Sequence, residues 1–173
     1  RDDPDTEGWV VLHSLGIANH RTVLYGELDF FVIAPKLGVF ALEVKGGRVS
    51  CNEGIWSFTN KYGKTTSKAR GPFAQANEGM FSLIDAIKLK YGQRHKLSNL
   101  LFGTGVMFPD IEFQVDGTEG EQWQVFDMRD GRAVSKYIRR LAQHTKHKWK
   151  EQFGFFPQDK LPDSTDVKEL ASM

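Results

Sequence analysis

A chain of 173 residues has room for about one domain, and 13 Phe with 4 Trp supply ample apolar area for its core. With 23 Lys and Arg against 22 Asp and Glu, the net charge of +1 excludes a general polycation, so any contact with nucleic acid must rest on local patches. The single cysteine, Cys51, excludes an internal disulfide and points to a reducing, cytoplasmic setting. No apolar run approaches the roughly 20 residues of a membrane span, and no signal-peptide pattern is present. A chain that opens at Arg1 rather than Met reads as a piece of a longer protein.

Residues 1–8 are polar and acidic, a loop. Trp9 to Leu15 is the first predicted strand, with His13 as a packed residue inside it. The connection that follows carries His20 and Arg21, read as solvated. Leu28 to Ile33 and Val39 to Val44 are nearly continuous apolar runs, which suits strands buried on both faces of a sheet. Between them Ala34-Pro35-Lys36-Leu37-Gly38 is turn punctuation. Gly46-Gly47 predicts a further turn, and Arg48 to Cys51 with Ile55 to Thr59 predicts a hairpin whose Trp56 and Phe58 share a face.

Residues 60–71, NKYGKTTSKARG, read as a basic loop with Lys61, Lys64, Lys68 and Arg70. Gly63-Lys64-Thr65 resembles the end of a phosphate-binding P-loop, but the glycine that motif needs is Phe58, which excludes a nucleotide site of that kind. Pro72 to Tyr91 is the clearest helix: Pro72 opens it, Gly92 can end it, and Phe73, Ala76, Met80, Leu83, Ile84, Ile87 and Tyr91 recur at helical spacing. Asn99 to Phe108 predicts a buried strand, with Gly103 and Gly105 for a bulge or close packing. An acidic loop then leads to a short edge strand, Trp123 to Asp127. Asp130 to Phe153 predicts a second helix with Val134, Tyr137, Ile138, Leu141 and Thr145 inward. Its outer face is basic and includes Arg139, Arg140, Lys146 and Lys150; His144 and His147 belong to that face. Residues 157–173 read as a polar tail or linker after a domain at 1–156.

The informative anomaly is a set of charges in the two central strands. Glu27 and Asp29 share one strand face; Glu43 and Lys45 share another, roughly 6–7 Å apart. If the strands pair antiparallel, Asp29 and Glu43 meet across the ladder. Carboxylates in an apolar sheet are costly unless paired. A divalent cation held by oxygen ligands would pair them, and Mg²⁺ suits one or two carboxylates with water and phosphate.

Asp29, a gap of thirteen residues, then Glu43-Val44-Lys45 resembles the PD-(D/E)xK nuclease signature. GELDFFVI, GVFALEVKGG, the following Trp56 and PFAQA resemble one branch, the NERD (nuclease-related domain) family, over Trp9 to about Phe108. The fold this implies is α/β, a restriction-endonuclease-like mixed central sheet flanked by helices. That core usually opens with a helix, and none precedes Trp9 here; the expectation is that it lies upstream of Arg1 or is lost. The implied activity is metal-dependent phosphodiester hydrolysis. Asp29, Glu43 and the Val44 carbonyl would hold Mg²⁺ or Mn²⁺, Glu27 a second ion or a water. Lys45 would act on the attacking water, and Gln75 would position phosphate or water. Related nucleases carry Gln-x-x-x-Tyr, whereas the fourth residue after Gln75 is Gly79. The implied partner is nucleic acid, DNA favoured, within a larger helicase- or ATPase-linked processing or defence protein and with no membrane role. Lys61, Lys64, Lys68, Arg70, Arg139 and Arg140 are the candidate phosphate contacts. The alternative is a non-catalytic nucleic-acid-binding or docking module that keeps the fold.

Overall fold

The computed structural model describes residues 4–15 and 28–173. The chain is mixed α/β. Its main sheet has five strands in the order β1-β2-β3-β7-β8, formed by β1 (Val10–Leu15), β2 (Leu28–Ala34), β3 (Gly38–Val44), β7 (Phe102–Phe108) and β8 (Val125–Asp127). β1, β2 and β3 are antiparallel neighbours; β3, β7 and β8 run parallel. A second sheet, β4 (Arg48–Asn52), β5 (Ile55–Thr59) and β6 (Thr65–Lys68), is an antiparallel meander. Among the described residues there are three α-helices, α1 (Pro72–Tyr91), α2 (Val134–Phe153) and α3 (Ser164–Ala171).

β2 and β3 are apolar on both faces because both faces are covered. Val32, Ala34, Phe40 and Leu42 pack against Tyr137, Ile138 and Leu141 of α2. The alternate residues Ile33 and Val39 pack against Ile87 of α1 and against Val167 and Leu170 of α3. Thus α2 covers one face and α1 with α3 the other, as strand alternation requires. α2 lies close on β7 at Gly105, where an added Cβ would fall 2.0 Å from Tyr137 Oη. The glycine therefore serves close packing rather than a bulge, and it lets Tyr137 Oη donate to the Gln124 carbonyl at 2.7 Å.

Four sequence expectations change. Residues 65–68, read as loop, form β6, an edge strand exposed throughout and tied to β5 by Ser57–Ser67 and Thr59–Thr65 hydroxyl pairs. Residues 99–101 do not join β7: Lys96–Asn99 is a 3-10 turn, and Leu100 and Leu101 are buried beyond it. α2 starts at Val134 rather than Asp130, because Asp127 and Asp130 cap a separate 3-10 turn at Met128–Asp130. The segment expected to be a polar tail carries α3, capped by Asp163 and anchored through Val167 and Leu170 in the core. Among the described residues no helix is long and apolar enough to cross a membrane.

Candidate active site

In β3 the alternation that turns Val39 and Ala41 toward α1 also turns Glu43 that way. The β2–β3 register pairs Phe30 with Leu42, so Asp29 and Glu43 are next in line across the ladder. The predicted meeting of the two carboxylates is therefore met by the backbone. Asp29 Oδ2 accepts from the Val44 N–H at 2.8 Å, which ties this carboxylate to the end of β3. Glu27 lies outside the described residues.

Glu43 is the most deeply buried charge in this group, at 3 % exposure. Its Oε1 accepts from Lys45 Nζ at 2.5 Å; its Oε2 is buried and has no hydrogen-bond partner among the described residues. Burial pushes the Glu43 carboxyl above its ordinary value. Lys45 and, more weakly, Arg70 pull it down, and Asp29 pushes it further up. Lys45 reaches outward, partly exposed, with Nζ 5.9 Å from the Phe58 ring of β5.

The first turns of α1 stand over the same strand ends. Phe73 packs on Val106, and Val106 is the parallel-register neighbour of Glu43. α1 opens at Gly71 without a side-chain cap, which leaves early amide N–H groups for other acceptors. Gln75 follows in this region, and its Oε1 is likewise buried and unpartnered. Gly79, four residues after Gln75, is pressed on Leu28: an added Cβ would fall 2.6 Å from Leu28 Cδ1. The packing at Gly79 leaves no room for a larger side chain.

Asp110, which the sequence did not single out, braces the site. It follows β7 and its Oδ2 accepts from the Gly47 N–H at 2.6 Å, fixing the turn just after Lys45. Gly47 has φ +81°, and an added Cβ would fall 2.4 Å from the Thr59 carbonyl, so glycine is required there. Only the parallel β3–β7 pairing brings Asp110 here, and nothing local in the sequence signals it.

The structure separates the two basic groups. Lys61, Lys64, Lys68 and Arg70 are exposed on and just after the β5–β6 hairpin, on the Lys45 side. Arg70 is ion-paired with Glu78. Arg139 and Arg140 belong to α2 on the opposite face of the main sheet, and both already have partners. Arg139 donates to the Asp5 carbonyl at 2.9 Å. Arg140 bonds Asp130 and the Trp123 and Val125 carbonyls, a clamp between α2 and β8. His144 is stacked on Trp123 and His147 pairs with Glu151, so these two histidines do not converge on a ligand. Cys51 has its thiol pushed up, by burial first and then by Glu119, which fits the inert reading.

Among the described residues no three His, Cys, Asp or Glu side chains form a metal-holding group, and the described carboxylates of the site are Asp29 and Glu43. A cleft of about 600 Å³ lies elsewhere, between the small sheet and the 113–119 segment. Trp56, Phe73 and Phe113 line it and Asp116 and Glu119 rim it, an acidic mouth unsuited to phosphate.

Comparison of the chain with protein-family models, curated proteins and solved structures finds no match.

Proposed function

We propose that this chain is a metal-dependent nuclease domain that hydrolyses phosphodiester bonds in nucleic acid, DNA favoured. The observation that carries the reading is a pair of buried oxygens without partners, Glu43 Oε2 and Gln75 Oε1, on elements that face each other beside Asp29 and Lys45. Buried acceptors are nearly always satisfied in a folded protein, and exceptions concentrate where an ion or water belongs. The donors are hard oxygens throughout, which fits Mg²⁺ or Mn²⁺. Asp29, Glu43 and the Val44 carbonyl would hold the ion, with Glu27 a further candidate donor. Bound there, the ion would supply charge neutralisation at the phosphate and a more acidic water.

The chain's own groups have definable tasks. Lys45 fixes the Glu43 carboxylate through Oε1 and leaves Oε2 as its free acceptor. The same ammonium, partly exposed, offsets charge that develops on the phosphate oxygens. Gln75 Oε1 can accept a hydrogen bond from the attacking water and orient it. The uncapped start of α1 adds amide dipoles favourable to an anion. Asp110 holds the Gly46-Gly47 turn so that Lys45 stays aimed.

The wider reading is a cytoplasmic module of a larger helicase- or ATPase-linked protein, in keeping with the resemblance to NERD domains. Incubating the chain with single- and double-stranded DNA and RNA, with Mg²⁺ or Mn²⁺ and with chelator, tests the activity. Cleavage that needs metal and is lost in Glu43→Gln supports it. Metal-dependent binding without cleavage by any preparation would instead favour the non-catalytic docking module.

A further inference from the structure

The β5–β6 hairpin has features that the proposed chemistry does not use. Residues 60–70 are exposed without interruption and contain no carboxylate. At the tip, Tyr62 is 81 % exposed, a large aromatic ring left in solvent with Lys61 Nζ 5.0 Å from its centre. The tip is nonetheless ordered by its own bonds: Asn60 Oδ1 accepts from the N–H groups of Tyr62 at 2.9 Å and Lys64 at 3.1 Å. One flank presents the Ser57–Ser67 and Thr59–Thr65 hydroxyl pairs. The hairpin's base adjoins the candidate site through the Lys45–Phe58 contact.

We infer that this hairpin is a grip for single-stranded nucleic acid, in which an unpaired base stacks on Tyr62 while Lys61 and Lys64 meet the flanking phosphates. Cations interleaved with an exposed aromatic ring on a rigid support match how unpaired strands are held. A ring at a tip can stack only on a base already free of its partner, so the device favours single strands or the single-stranded side of a junction. Hydroxyl pairs on the flank suit sugar and phosphate oxygens better than lipid tails. The inference rests on nucleic acid as the partner in the proposed function, but it does not require cleavage.

Binding is therefore read in chelator, where catalysis plays no part. Fluorescence anisotropy of labelled oligothymidylate, oligouridylate and a DNA duplex is measured against wild type, Tyr62→Ala, Tyr62→Trp and the Lys61→Ala/Lys64→Ala pair across a salt series. Loss of one base–aromatic stack should weaken single-strand binding about 5- to 150-fold in Tyr62→Ala. Tyr62→Trp should retain it, and duplex binding should move by less than about twofold. The salt slope should stay constant in Tyr62→Ala and fall by about 1.4 in the lysine pair, two phosphates at about 0.7 each. The thymidylate and uridylate arms then tell DNA from RNA. Equal loss on single strand and duplex, or no loss at all, overturns the inference. So does Tyr62-dependent binding to phosphatidylserine vesicles without binding to either oligonucleotide. Tyr62 makes no core contact, so circular dichroism of the variant should match wild type. A chain that binds single strands through Tyr62 but never cleaves would refute the nuclease reading and leave this one standing.

Discussion

Glu43→Gln should make the protein more stable while destroying its proposed activity. The Glu43 side chain is 4 % exposed and one of its oxygens has no partner. Leaving a buried acceptor unsatisfied costs about 1–3 kcal/mol, more when it is charged. Its raised pKa already includes the attraction of Lys45, so on balance the fold disfavours the ionised form. Relieving part of that burial cost predicts a gain of about 1–2 kcal/mol at neutral pH, which for a chain of this length is a Tm rise of about 2–8 °C. The sign follows from linkage. An acid whose pKa is raised by folding imposes no cost below its ordinary value of 4.5, and the cost grows as pH rises through the raised value. Wild type and variant should thus melt together near pH 4, roughly where the carboxyl is protonated in both states, and diverge above it. Thermal melts across that range measure the gap. Mn²⁺ at about a hundred times its Kd should add about 2.7 kcal/mol to wild type alone and close or reverse the gap. A variant less stable than wild type at every pH, in chelator, would refute the reasoning, because Oε2 would then have a partner in solution.

Three further outcomes follow from named contacts. Lys45→Ala should abolish cleavage and also cost about 1–3 kcal/mol, since it strips Glu43 of its only cationic hydrogen bond; adding Glu43→Gln should restore the melting temperature but not the cleavage. Gly105→Ala should destabilise by about 1–3 kcal/mol or more in urea titration, because its Cβ would fall 2.0 Å from Tyr137 Oη inside a packed layer. Lys96 and the start of α3 hold the Asp163 carboxyl down at about 2, so its stabilising effect is present above the ordinary value of 3.8 and lost as pH falls through about 2. Hydrogen exchange at Val167 and Leu170 should accelerate across that window, with the rest of the core opening later.

What the sequence made legible follows from how many signals each element carries. α1 is bounded as read because Pro72 and Gly92 mark its ends and its stripe is long. β2 and β3 are legible because burial on both faces makes them apolar but for Asp29 and Glu43. β6 carries no such signal: Thr65-Thr66-Ser67-Lys68 is exposed and held by pairing with β5, a partner that only the fold supplies. α3 has just two inward apolar residues, Val167 and Leu170, too few to set a period in a polar stretch. At the site, Asp29, Glu43 and Lys45 stand out because they interrupt apolar strands. Asp110 does not, because its role depends on a parallel strand 63 residues from the turn it braces.

The two faces of the main sheet divide stability from the proposed chemistry. On the α2 face the buried Tyr137 and the Arg140 clamp are matched: Tyr137 bonds the Gln124 carbonyl, and Arg140 joins Asp130 to the Trp123 and Val125 carbonyls. The basic helix that looked in sequence like a phosphate surface thus has Arg140 committed to holding β8 and Arg139 to the Asp5 carbonyl. On the α1 face, at the ends of β3 and β7, matching stops. Of three buried side-chain atoms without partners among the described residues, two are acceptors at this end of the molecule, Glu43 Oε2 and Gln75 Oε1; the third, Trp149 Nε1, is a donor on α2. A carboxylate kept buried, half-paired and next to a second carboxylate lowers stability, and folds carry such defects where function needs them. Lys61, Lys64 and Lys68 stand exposed on the Lys45 side, on a hairpin whose base touches Lys45. A net charge near zero hides this arrangement, because the cations used in structure and those left in solvent count alike in the sum.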